Sequence, residues 1–199
     1  VFPFHGYHYN MDKIKDLNQV VTPPYDNIDE EEQEAFYNAN PYNIVRLILN
    51  RGEGDTKYQK AAAALKEWFD NEILVKEEEP GFYAYFQEYE VEGKKRTRKG
   101  FIGLGELETG EGVREHEHTM KGPKADRLKL LRATETNFGH IFMLYPDPEK
   151  RIDQILQEIN TNREPMLACR DDDGNLHKIW KITDENLMDT IKQEMLDKD

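Results

Sequence analysis

Residues 82–91 read Phe-Tyr-Ala-Tyr-Phe-Gln-Glu-Tyr-Glu-Val and residues 96–107 read Arg-Thr-Arg-Lys-Gly-Phe-Ile-Gly-Leu-Gly-Glu-Leu, separated only by Glu92-Gly93-Lys94-Lys95. Two strand-like runs joined by so short a glycine-containing link form a β-hairpin, because a parallel partner would need a crossover of a dozen residues or more. A second such pair, residues 166–170 and 176–182, flanks Asp171-Asp172-Asp173-Gly174-Asn175. Any sheet in this chain is therefore antiparallel or mixed. The acidic turn lacks the spacing and the closing glutamate of an EF-hand, so calcium is not expected there.

Helical patterns are interspersed with the hairpins. Asp29 is placed to cap a helix running to about Asn38, and Asp55 to cap one over residues 56–69 with Tyr58, Ala61, Ala62, Leu65, Trp68 and Phe69 on one face. Pro148 opens a third, to about Thr161, with Ile152, Ile155, Leu156 and Ile159 inward, and Asp184 caps a last helix over residues 185–196. Residues 1–9, 17–21, 42–49 and 140–145 read as strands, the last two buried. The fold class is α+β: a mixed or antiparallel sheet with interspersed hairpins and packed helices, in a single domain over residues 1–199. Because the chain opens on Val1 within strand-like sequence, it reads as starting inside a longer polypeptide.

Charge and rare residues narrow the function. A net charge of −13 disfavours general nucleic-acid binding, since the phosphate backbone would repel the molecule as a whole. Serine is absent, so no serine nucleophile exists. The single cysteine, Cys169, excludes an internal disulfide and a cysteine-based zinc site and reads as a buried, inert thiol. No apolar run approaches the ~20 residues of a membrane span, and the expected location is cytoplasmic. The glycines at 103, 105, 110 and 112 lack the following helix of a dinucleotide loop and the Gly-Lys-Ser/Thr of a P-loop.

Titratable chemistry concentrates in residues 113–134. On an extended segment His116 and His118 share a face, with Glu115 and Glu117 on the other. Gly122-Pro123 then opens a helix in which Leu128 and Leu131 are expected to face the core, and Lys121, Lys124, Arg127, Lys129 and Arg132 supply charge. Imidazoles leading into a basic helix N-terminus point to an anion site. His116 or His118 would be the acid–base with Glu117 beside it; Lys121, Lys124 and Arg127 would hold phosphate. Tyr25 and Asp26, in the rigid Thr22-Pro23-Pro24-Tyr25-Asp26 turn, would position substrate or Mg²⁺. Asp126 beside Arg127 reads as a helix-surface ion pair of little energetic weight.

Two pieces together, Thr22-Pro23-Pro24-Tyr25-Asp26 and His116-Glu117-His118-Thr119 followed by Gly122-Pro123-Lys124-Ala125-Asp126-Arg127-Leu128, resemble the bacterial and archaeal family catalogued as domain of unknown function 1015. That family is largely uncharacterised. Its longer members carry a downstream Asp-Gly-His-His-Arg element similar to the nucleotide-phosphate motif of ParB/sulfiredoxin-like proteins, a group that includes free-serine kinases. Here Asp173-Gly174 is followed by Asn175-Leu176, so that element is missing, and the resemblance implies either the N-terminal portion of such a protein or a member that has lost the motif. The resemblance implies a small phosphorylated ligand, a nucleotide with Mg²⁺ or a serine- or phosphoserine-like substrate, and phosphoryl transfer or hydrolysis. The alternative is a non-catalytic regulatory or interaction module whose basic segment docks an acidic partner.

Overall fold

The structure is a computed structural model that describes residues 1–106 and 120–196. In chain order its elements are β1 (Tyr7–Tyr9), α1 (Glu30–Ala39), α2 (Val45–Ile48), α3 (Thr56–Asp70), β2 (Leu74–Lys76), β3 (Phe82–Val91) and β4 (Lys94–Ile102). They continue with α4 (Lys121–Thr134), α5 (Arg151–Asn162), β5 (Leu167–Arg170), β6 (Leu176–Ile182) and α6 (Glu185–Leu196). β1 and β2 form a two-stranded sheet, and a four-stranded antiparallel sheet has the order β4-β3-β6-β5. The fold is α+β. The chain divides into two compact units: Val1–Tyr7, Lys76–Arg114 and Ile141–Asp199 form the first, His8–Val75 and Glu115–His140 the second.

The first unit is built on β3. Its hairpin with β4 closes through two residues, Glu92 (φ 53°) and Gly93 (φ 72°), both left-handed, the turn whose twist matches the flanking strands. The link is thus tighter than the four residues expected from sequence, because Lys94 and Lys95 join the ladder opposite Val91 and Glu90. Alternation along β3 sends Phe82, Ala84 and Phe86 to one face, where they are buried with Trp180 and Ile182 of β6. Ile152, Ile155, Leu156 and Ile159 of α5 and Ile191 of α6 pack into the same core. Asp184 Oδ1 accepts from the Leu187 N–H at 3.0 Å, starting α6 as anticipated.

In the second unit, α1 starts at a full capping box, Asp29 with Glu32. Two expected strands are absent. Residues 17–19 form a 3-10 turn, and the 42–49 run folds as the short helix α2. Asn43 accounts for both. It is 1% exposed, accepts from the Val45 N–H at 2.9 Å and donates to the carbonyl of Gln19 at 2.9 Å. A buried side chain that caps one segment while holding the next leaves neither free to join a ladder. Val45 and Leu47 are still fully buried, as their apolar character required. Along α3, Tyr58, Ala61, Leu65 and Trp68 face inward.

Two further expectations fail. On α4 the buried positions are Leu130 and Thr134, while Leu128 and Leu131 are each 44% exposed. A helix with leucines at 128, 130 and 131 offers more than one apolar stripe, and the packing of Leu130 with Tyr58 and Ala61 of α3 selects among them. The 140–145 run is not a strand: Ile141 is 76% and Leu144 87% exposed, and among the described residues it joins no ladder. Apolar composition alone cannot supply a pairing edge.

Leu130→Ala should destabilise the protein by about 2–5 kcal/mol, as for a buried leucine, and Leu131→Ala by less than about 1 kcal/mol. Urea unfolding of the two variants measures both; equal costs would contradict the observed helix register.

Candidate anion-binding site

Within the second unit, α3 and α4 converge on one carboxylate. Asp126 Oδ1 accepts from Lys57 Nζ at 2.7 Å and from Tyr58 Oη at 2.6 Å. Its Oδ2 accepts from Arg127 Nε at 3.0 Å and from Arg127 Nη2. Arg127 Nη1 donates to the Ile48 carbonyl at 2.8 Å, and the guanidinium carbon lies over the Tyr25 ring, 3.8 Å from its centroid. Every direction around this arginine is therefore fixed: carboxylate, carbonyl and aromatic face.

The local sequence explains the arrangement. Lys57 and Tyr58 occupy the first turn of α3, and Asp126 and Arg127 the second turn of α4. Burial by itself would raise the Asp126 carboxyl, but hydrogen bonds from Lys57, Tyr58 and Arg127 outweigh it and hold the group well below the usual carboxylate range. The same bond to Asp126 raises Lys57, so both stay charged at neutral pH. Lys129 Nζ, 2.7 Å from Asp55 Oδ1, extends the cluster. Three cations, Lys57, Arg127 and Lys129, thus face two carboxylates, Asp126 and Asp55.

α4 adds to this excess of positive charge. Its first turn carries no acidic residue, and its capping position, Met120, supplies no side-chain hydrogen bond. Lys121 and Lys124 on that turn are exposed. Among the described residues, no side-chain cap and no acidic residue of the first turn offsets its N–H groups and dipole end.

Tyr25 and Arg127, both expected site residues, are brought together. Asp26 follows Tyr25 on a short 3-10 turn, exposed, with no side-chain partner among the described residues. His116, Glu117 and His118 lie outside the described residues. Sequence reasoning missed Lys57 and Tyr58, and it underrated Asp126. The pair Asp126–Arg127 is no loose surface contact, since both side chains are only about a quarter exposed (25% and 28%) and Asp126 serves two further donors. The tyrosine hydroxyl in the apolar stripe of α3 was the available signal: a buried phenol needs an acceptor. Among the described residues no group of three or more His, Cys, Asp or Glu side chains is arranged to hold a metal ion.

A family model described as "Protein of unknown function (DUF1015)" matches residues 1–199. The chain belongs to the DUF1015 family. No curated protein and no solved structure matches it. The Tyr25–Arg127 stack joins the two separate DUF1015-like segments picked out in the sequence, Thr22-Pro23-Pro24-Tyr25-Asp26 and Gly122-Pro123-Lys124-Ala125-Asp126-Arg127-Leu128.

Asp126 also predicts an acid response. A carboxyl held low in the folded state stabilises it above the unfolded value, about pH 3.9, and this contribution is lost as pH falls through the folded value. Stability measured by denaturant titration should decline below about pH 4, and Asp126→Asn should flatten that decline while costing about 1–3 kcal/mol at pH 7. An unchanged acid limb in the variant would show that Asp126 does not carry it.

Proposed function

We propose that this DUF1015 protein binds a small phosphorylated ligand, a metabolite or nucleotide, on the α3–α4 face of its second unit. The observation that carries this reading is the convergence of Lys57, Tyr58 and Arg127 on Asp126, with Arg127 stacked on Tyr25. Fixed cations cost a ligand little ordering entropy, and the site keeps a positive excess in a chain of net charge −13. Lys121 and Lys124 would meet the phosphate as point charges, and the exposed edge of the Tyr25–Arg127 stack offers a flat surface for a ring. Asp26, exposed beside Tyr25, would accept from a ligand hydroxyl or hold a water of a nucleotide-bound Mg²⁺.

In the enzymatic form of the proposal, phosphoryl transfer or hydrolysis, His116 or His118 supplies the acid–base function with Glu117 beside it. These residues directly precede α4 in sequence. A regulatory or interaction module is the second reading, favoured by the exposed apolar run at Ile141, Phe142, Met143 and Leu144.

Thermal unfolding against ATP, ADP, pyrophosphate, phosphoserine and sulfate, with and without Mg²⁺, separates the two. A ligand at 100 times its dissociation constant should add about 2.7 kcal/mol to stability. The shift should shrink in a Lys121→Ala/Lys124→Ala variant whose ligand-free midpoint is unchanged, since both side chains are exposed. No shift with any of the five, or an identical shift in the double variant, would overturn the site.

A further inference from the structure

The four-stranded sheet has a second face, away from α5 and α6. Phe82, Ala84 and Phe86 point toward α5 and α6, so Tyr85 and Gln87 point the other way. The register pairs Gln87 with His177 and Arg98, and His177 with Cys169, which places all of them on that outer face. None of these residues belongs to the anion site of the other unit.

Three of the outer-face groups form a hydrogen-bonded chain. Asp171 accepts from the Asn175 N–H and the Asn175 Nδ2 amide, both at 2.8 Å, so its carboxylate is fixed in the β5–β6 turn. Asp171 Oδ2 stands 3.0 Å from His177 Nε2, and His177 Nδ1 stands 2.6 Å from Tyr85 Oη. A carboxylate only accepts, so Nε2 carries the imidazole proton and Nδ1 presents its lone pair to the tyrosine hydroxyl. Burial lifts the Tyr85 phenol above its ordinary value, while hydrogen bonds from His177 and Asn175 outweigh burial and keep Asp171 low. The phenol thus keeps its proton until a base removes it, and a base is in place. The imidazole is only about one-fifth exposed, and both its nitrogens are committed to partners from two different strands or turns.

We propose that Asp171, His177 and Tyr85 form a nucleophile–base–orienter triad, with Tyr85 Oη attacking the phosphorus of a phosphoryl ester or anhydride. The three roles and spacings are those that activate a hydroxyl in nucleophilic catalysis, here in a chain without serine. In the step, the Oη–P bond forms and the bond from phosphorus to the leaving oxygen breaks. The phenolic proton passes to His177 Nδ1 and from there to the leaving group. Asp171 is a positioning residue that holds the tautomer and stabilises the imidazolium. Phosphorus rather than an acyl carbon fits the surroundings. Among the described residues, the backbone N–H groups of β3 and β6 are engaged in the ladder and supply no oxyanion hole beside Tyr85. Arg98 is instead the nearby positive charge, oriented by its 3.0 Å bond to Gln87 Oε1 and close enough to act on the Tyr85 phenol.

A fluorophosphonate tests this on the intact chain, since displacement of fluoride leaves a stable Oη–P adduct that peptide mass spectrometry maps. Tyr85 should be labelled far ahead of the other tyrosines among the ten in the chain. Its labelling rate should fall on the order of 100-fold in His177→Gln and also fall in Asp171→Asn. Labelling spread over the tyrosines by exposure overturns the proposal without recourse to any variant. So does an undiminished Tyr85 rate in a folded His177→Gln protein.

Discussion

The strict alternation of β3 is the constraint on which the first unit depends. Phe82, Ala84 and Phe86 are at most 2% exposed, and each sits opposite or beside an equally buried residue of β6, Trp180 or Ile182. A slip of one residue would send this whole set to the outer face and bring Tyr85, Gln87 and Tyr89 into the core, so the register is strongly specified. Ala84 lies directly across from Trp180, a small residue facing a large one, and the Trp180 Nε1–H finds the Arg163 carbonyl at 2.9 Å. The two-residue turn at Glu92-Gly93 sets the register of β4 against β3. With Phe82, Ala84 and Phe86 on one face, Tyr85, Gln87 and His177 fall on the other. The Asp171–His177–Tyr85 chain is a consequence of that sorting.

In the second unit a polar centre takes the corresponding place. Asp126 is a partly buried carboxylate, and such a group is costly unless its lone pairs are occupied. Lys57, Tyr58 and Arg127 occupy them, and in doing so they fasten the start of α3 to α4. Arg127 then reaches the Ile48 carbonyl at the end of α2 and the Tyr25 ring, so one side chain links three segments of this unit. The arrangement that fixes the helices is the same one that fixes the cations.

How much of this was legible in the chain can be judged element by element. The α3 and α5 helices were readable because their apolar residues recur at helical spacing, and α1 and α6 from the capping residues Asp29 and Asp184, as Asp55 marks the start of α3. Even so, Asp55 caps nothing with its side chain; it pairs with Lys129 instead. Both hairpins were readable from strand composition around a turn. Strand assignments failed at residues 17–21 and 42–49 because the deciding group, Asn43, is polar and acts across more than 20 positions, from 19 to 43. They failed at 140–145 because a strand needs a neighbour, and composition does not provide one. At the site, the basic residues of α4 were visible and Tyr25 was singled out, yet their meeting was not. Lys57 looked like any surface lysine and Tyr58 like any core aromatic.

The sequence by itself determined the two hairpins and the helices α1, α3, α4, α5 and α6, the sign of the charges and the chemistry the side chains can perform, since these are local properties of the chain. Only the tertiary structure decided which leucine of α4 is buried, that Arg127 lies on Tyr25, and that His177 stands between Asp171 and Tyr85. Those facts depend on contacts between residues distant in sequence. A hydrogen bond or a ring stack is defined within a few tenths of an ångström, and no spacing along the chain fixes that.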